Sequence, residues 1–189
     1  MSNLTTFASQ IEDRNFLTPT GFRFSVEKAN KIAFFGTSCN IPSLNLGTIE
    51  QPNYLRGIPR PGDTIDFEDL VFRFLIDENL ENFNQIQNWM RALGYPESLK
   101  EIYDWQNDDE FTNYNSSPKN SLKNLYSDGT LLIYSNDFEP IIRVKFKDMF
   151  PYFLTNIEFD AQVTDLTYLT AEVRFKYTNY EIESIVSCC

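Results

Sequence analysis

Residues 56–74 read RGIPRPGDTIDFEDLVFRF, two prolines and a glycine set directly in front of a long alternating segment. Pro59 and Pro61 each lack an amide donor and fix their own φ, which excludes them from the centre of a closed sheet and suits an arm reaching away from the body. The segment then changes character. Ile65–Ile76, IDFEDLVFRFLI, starts as apolar–acid alternation and from Leu70 is apolar on nearly both faces, Arg73 excepted. This predicts one strand that enters a core.

Upstream, residues 37–63 (TSCNIPSLNLGTIEQPNYLRGIPRPGD) hold prolines at 42, 52, 59 and 61 and few helix signals. We read 37–63 as an extended arm that carries Ile41, Leu44, Leu46, Ile49, Tyr54, Leu55 and Ile58 along with Pro59 and Pro61. Exposed in this way, those apolar side chains are a liability on a monomer and a contact on a self-assembling subunit. The alternative is a long surface loop folded back on its own domain.

Downstream, DENLENFNQIQNWMRALGYP places Phe83, Ile86, Trp89, Met90 and Leu93 at helical spacing, with Gly94 and Pro96 beyond. This predicts a helix over Glu81–Leu93 whose apolar stripe packs on a core. The polar stretch 97–124 is read as an insertion holding a short helix, Ser98–Trp105, and an irregular loop. Period-2 alternation predicts further strands at Gly21–Glu27, Thr130–Tyr134, Ile141–Lys147, Leu154–Asp160 and Tyr168–Ile182, with Ser127-Asp128-Gly129 and Met149-Phe150-Pro151 as turns. With several strands, one main helix and no βαβ rhythm, the expected fold is mainly β: a single domain over 1–189, an antiparallel sandwich or barrel with one flanking helix.

Composition narrows the function. The chain has 189 residues, 42% apolar and 23% charged, ordinary for a globular protein. Its formal charge of −11 opposes attraction to phosphate backbones or anionic membranes. Neither a membrane anchor nor a secretory leader is expected, and a cytoplasmic site of assembly follows. The absence of histidine removes the commonest general base and zinc ligand, leaving Cys39 without an activating partner, so Cys39 reads as a small buried residue in the strand TSCNIP. Cys188-Cys189 read as a frayed tail. The acidic clusters Glu68-Asp69, Asp77-Glu78 and Asp108-Asp109-Glu110 have neither a calcium-loop pattern nor an assigned cleft, and read as solvated faces and caps. No catalytic residue, metal or cofactor is expected.

The segments AFFGTSCNIPSLNLGTIEQPN (33–53), IPRPGDTIDFEDLVFRFLIDENLENFNQIQNWMRALGYP (58–96) and, more loosely, AEVRFKYTNYEI (171–182) resemble the tail tube proteins of contractile-tailed, myovirus-type bacteriophages. The resemblance implies two packed antiparallel sheets with a flanking helix, hexameric rings joined edge to edge, and rings stacked into a hollow tube inside a sheath. It implies a structural virion protein whose partners are its own copies, the tail sheath protein, and baseplate and tail terminator proteins. DNA would pass through the lumen without specific binding, and a predominantly negative lumen would favour that. In this picture Asn40–Asp63 is the ring-to-ring contact and Thr170–Thr178 or Asp66–Arg73 supplies tube wall. A baseplate-proximal tube initiator of the same family and, in another class, a carbohydrate-binding sandwich using exposed tyrosines and Trp105 are the alternative readings; an acid-pair hydrolase is a third.

Overall fold

Alternation of buried and exposed side chains makes Pro140–Leu154 a strand, and its length makes it the hinge of the architecture. A computed structural model describes residues 16–29, 33, 35–94, 96–102, 125–159 and 168–185. In chain order the elements are β1 (Phe22–Val26), β2 (Gly36–Cys39), β3 (Leu44–Gln51), β4 (Ile58–Phe67), β5 (Leu70–Leu75), α1 (Glu81–Gly94), β6 (Ser127–Tyr134), β7 (Pro140–Leu154), β8 (Thr170–Lys176) and β9 (Asn179–Ser184). All strand pairings are antiparallel.

The first half of β7 lies between β6 and β9, and β6 in turn pairs with β1. The second half leaves that sheet and pairs with β8, which continues to β5 and β2. Two four-stranded layers therefore share one strand, which is how a sheet turns a corner to enclose a core. At the corner Asp148 takes a positive φ of 54°, a conformation Asp tolerates better than most residues. Its N–H donates to Asp128 Oδ1 at 3.1 Å, and the β6–β7 register shifts between Ser127 and Gly129.

Several boundaries differ from the sequence reading, and Ser127-Asp128-Gly129, expected as a turn, opens β6. Met149-Phe150-Pro151 is strand, not turn: Pro151 pairs with Phe175 of β8 beyond the end of β6, so its missing donor faces an unpaired edge. Residues 155–159, expected in a strand, are irregular. Ile65–Ile76 and Tyr168–Ile182 are each two strands, broken at Glu68-Asp69, where the chain passes from the separate β3–β4 sheet into the body, and at Tyr177-Thr178, where it passes between layers. The arm of the sequence reading also starts late, because Gly36–Cys39 is β2 of the body, paired with β5.

The core is aromatic. Phe24, Phe72, Phe74, Phe146, Phe175 and Trp89 are fully buried, and Phe24 meets Phe72 with ring centroids 4.8 Å apart and Phe175 at 6.1 Å. Offset and tilted pairs of this kind add roughly 0.5–1.5 kcal/mol each beyond area burial. Helix α1 presents Ile86, Trp89 and Ala92 to this core. Its start is tied to β5 by Asn82, whose amide donates to Leu75 O at 2.7 Å and whose Oδ1 accepts from Phe83 N at 2.8 Å. The Trp89 indole N–H donates to Leu125 O at 2.9 Å, satisfying the one polar atom that burial would strand. A second helix begins at Lys100 and is described as far as Ile102; the rest of the expected insertion, Trp105 included, and Cys188-Cys189 lie outside the described residues.

Candidate assembly interface

β3 and β4 form a sheet of their own, a hairpin that pairs with no other strand among the described residues. The loop Pro52–Gly57 closes it, and there Tyr54 and Leu55 are 98% and 89% exposed, so nothing among the described residues covers them. Ile41, Leu44, Leu46, Ile49 and Ile58 are exposed as well, and Pro59 and Pro61 lie on β4. Every apolar residue assigned to the arm from sequence is therefore on this projection or at its root. Ile65 and Phe67 belong with them and were missed: Leu44 faces Phe67 and Leu46 faces Ile65 across the hairpin. The sequence reading had put both in the single strand Ile65–Ile76.

The two strands are unequal. Between Leu46↔Ile65 and Thr48↔Pro61, β4 advances four residues while β3 advances two. The crossover works because Gly47 meets Gly62: a Cβ on Gly62 would sit 2.5 Å from the Gly47 carbonyl oxygen, a contact no side chain tolerates.

The root is clamped. Glu68 N–H donates to Ser43 O at 3.2 Å, holding the two ends of the hairpin together. The Asn40 amide donates to Asp69 O at 3.2 Å, and Asn40 Oδ1 accepts from Val71 N at 2.6 Å. From the β8–β9 break, Tyr177 Oη donates to Glu68 O at 2.9 Å and Tyr180 Oη to Pro42 O at 3.3 Å. Their rings each lie 5.9 Å from that of Phe67, and the Tyr177 ring meets buried Phe146 at 5.2 Å. Burial, then the neighbouring Tyr180, Asp69 and Glu68, push the Tyr177 hydroxyl up to about 12, so it stays a donor across the physiological range. Alternation had put Tyr177 on the buried face of Tyr168–Ile182, but no sequence signal gave Tyr177 or Tyr180 a partner at the hairpin root.

The outer faces of the body are of another kind. On the β5–β8 face, Glu172 accepts from Arg73 and Arg174, each at 2.9 Å, while Asp69 holds Lys176 and Tyr152. The Arg73 hydrogen bond holds the Glu172 carboxyl below its ordinary value, with Arg174 assisting against burial. For Asp69 burial raises the value, and the hydrogen bonds from Lys176 and Tyr152 prevail and lower it. On the β7–β9 face Lys145 pairs with Glu183 at 2.8 Å and Lys147 with Glu181 at 2.6 Å. Neither face is predominantly acidic. Cys39 is half-buried in β2, where burial pushes its thiol up to about 12, against any role as a nucleophile.

The chain matches the family model for phage tail tube proteins over residues 4–183, and it belongs to that family. Comparison with curated protein sequences returned no match. In fold it is similar to a chain of the PVC sheath–tube complex, an extracellular contractile injection system in its extended state, at 18% identity and TM-score 0.54 over 96% of this chain and 100% of that one. It is similar also to a chain of the anti-feeding prophage tube-terminating cap, at 14% identity and TM-score 0.56 over 96% and 99%. A third is a chain of the PVC sheath/tube terminator in its extended state, at 17% identity and TM-score 0.52 over 90% and 99%.

Proposed function

We propose that this tail tube family member is a non-enzymatic structural subunit of a contractile phage tail. Six copies close into a ring by joining their body sheets edge to edge, and rings stack through the hairpin into the hollow inner tube of the virion. A heterologous lateral contact that closes, combined with an axial contact that does not, generates such a stack. The tail sheath surrounds the tube, baseplate and terminator proteins bound its ends, and DNA crosses the lumen during ejection without sequence-specific binding; assembly takes place in the host cytoplasm. The fold shared with chains of sheath–tube, cap and terminator assemblies supports this reading. The observation that carries it is the exposed apolar hairpin, whose strands pair with no other strand among the described residues.

Because Ser43 and Glu68 are already hydrogen-bonded neighbours, residues 44–67 can be replaced by Gly-Gly without stretching the body. Negative-stain electron microscopy and light scattering of the untagged chain are expected to show rings and hollow tubes, and the excised variant a cooperatively melting protein that does not stack. Long tubes from the excised variant would overturn the axial assignment.

A further inference from the structure

The hairpin has two edges, and only one is open. A proline cannot complete the two-bond exchange of a hydrogen-bonded antiparallel pair. Glu50↔Pro59 and Thr48↔Pro61 are therefore the non-hydrogen-bonded pairs, and Ile49↔Arg60 and Gln51↔Ile58 carry the bonds that close the hairpin. Non-hydrogen-bonded positions turn their backbone groups outward. On β4 that outer row has no N–H at 59 or 61 and is broken by the Gly62–Thr64 excess. On β3 the same row is intact: Thr48 and Glu50 present N–H and C=O to solvent along an eight-residue strand that contains no proline.

An exposed, regular, apolar-flanked edge is a template for strand addition, and proteins blunt such edges where pairing is unwanted. Here β4 is blunted and β3 is not. We propose that the outer edge of β3 receives an extended strand of a second copy of this chain in the adjacent ring. The inference rests on the reading of the hairpin as the stacking contact, and adds which edge is used and which groups make the bonds. The occupant is a copy of the chain because a one-edged hairpin pairing with a different edge of its neighbour propagates without end, as tube growth requires. An occupant of this edge is recognised through backbone groups, while Leu46 and Ile49 supply apolar contact beside them.

The test uses tubes grown from the purified chain alone, so that any partner is a copy. Amide hydrogen exchange at Thr48 and Glu50 is expected to be fast in the free subunit and slowed at least tenfold in tubes, while Ile49 and Arg60 are protected in both. Equal exchange of Thr48 and Glu50 in the two states overturns the proposal, as does failure of the chain to assemble without another protein. Thr48→Pro and Glu50→Pro mirror prolines that β4 already accommodates and delete one outward donor each. They are expected to arrest growth at rings, with Thr48→Ala and Glu50→Ala forming tubes normally. If the proline variants form wild-type tubes while excision of 44–67 abolishes them, the edge assignment falls and the hairpin's role stands; if excision also leaves tubes, the underlying reading falls.

Discussion

The body and the hairpin are built from the same alternating strands, yet they treat the outward-facing side of that alternation in opposite ways. On β5 and β8 the outward residues are Arg73, Glu172, Arg174 and Lys176, tied to one another and to Asp69. On β3 and β4 they include Leu44, Leu46, Ile49 and Ile65, all exposed. Paired charges make a face content with water; uncovered leucines make one that gains by leaving it, at roughly 25 cal/mol per Å² buried. On the proposed reading, stability resides in the body and stacking in the hairpin, so substitutions should separate the two.

The largest separation is expected between Trp89→Ala and Leu55→Ser. Trp89 is fully buried, hydrogen-bonded to Leu125 O and 6.2 Å from the Phe175 ring; its removal opens a cavity worth roughly 3–5 kcal/mol. Leu55 touches nothing it would miss, so its loss should change the stability of the free subunit by less than about 0.5 kcal/mol while lowering the fraction assembled. Denaturant melts on unassembled subunits and sedimentation of tubes measure the two effects. Equal loss of stability from both would erase the contrast.

How much of this was legible in the sequence follows from what each signal measures. Helix α1 was readable because Phe83, Ile86, Trp89, Met90 and Leu93 keep one period and a glycine ends it. The strand faces of β1 and β8 were readable for the same reason. The bends were not: Asp148 and Tyr177-Thr178 turn the chain between layers without a proline or glycine to announce it, and Pro151 signals a turn only where both edges of a strand are occupied. In the arm the prolines pointed correctly to an edge, but which residues they faced depended on a register set by Gly47 and Gly62, a contact between positions distant along the chain. The partnership of Glu172 with two arginines was likewise invisible, since Arg73 comes from another strand.

That partnership alters what Glu172→Lys should do. Alternation alone assigns residue 172 to a solvated face where charge reversal is harmless. With its side chain only 13% exposed between Arg73 and Arg174, a lysine there sets three cations together, and Tm should fall by roughly 2–4 °C. The pH dependence has a definite sign. A carboxyl held below its ordinary value near 4.5 contributes stability that is complete above that value and is lost as pH falls through the depressed one. As pH falls below about 4.5 the wild-type subunit should therefore lose more stability than Glu172→Gln, followed by thermal melting; parallel curves would show that the arginines do not hold the carboxylate.

The smallest effect on the subunit is expected where body and hairpin meet. Tyr177→Phe keeps the ring against Phe67 and Phe146 and removes only the hydroxyl that bonds Glu68 O, a change of about 1 kcal/mol. Tyr180→Phe does the same at Pro42 O, over a longer bond. Those hydroxyls reach the two strands of chain that enter and leave the hairpin, so together they fix its direction more than its existence. The double variant should melt within a few degrees of wild type and keep the β3–β4 amides protected, while its tubes become shorter or irregular in rise and twist by electron microscopy. Tubes of unchanged helical parameters would show that aromatic packing of Phe67 alone orients the hairpin, and that the boundary between a stable body and an assembling arm is drawn by apolar contact without help from the two hydrogen bonds.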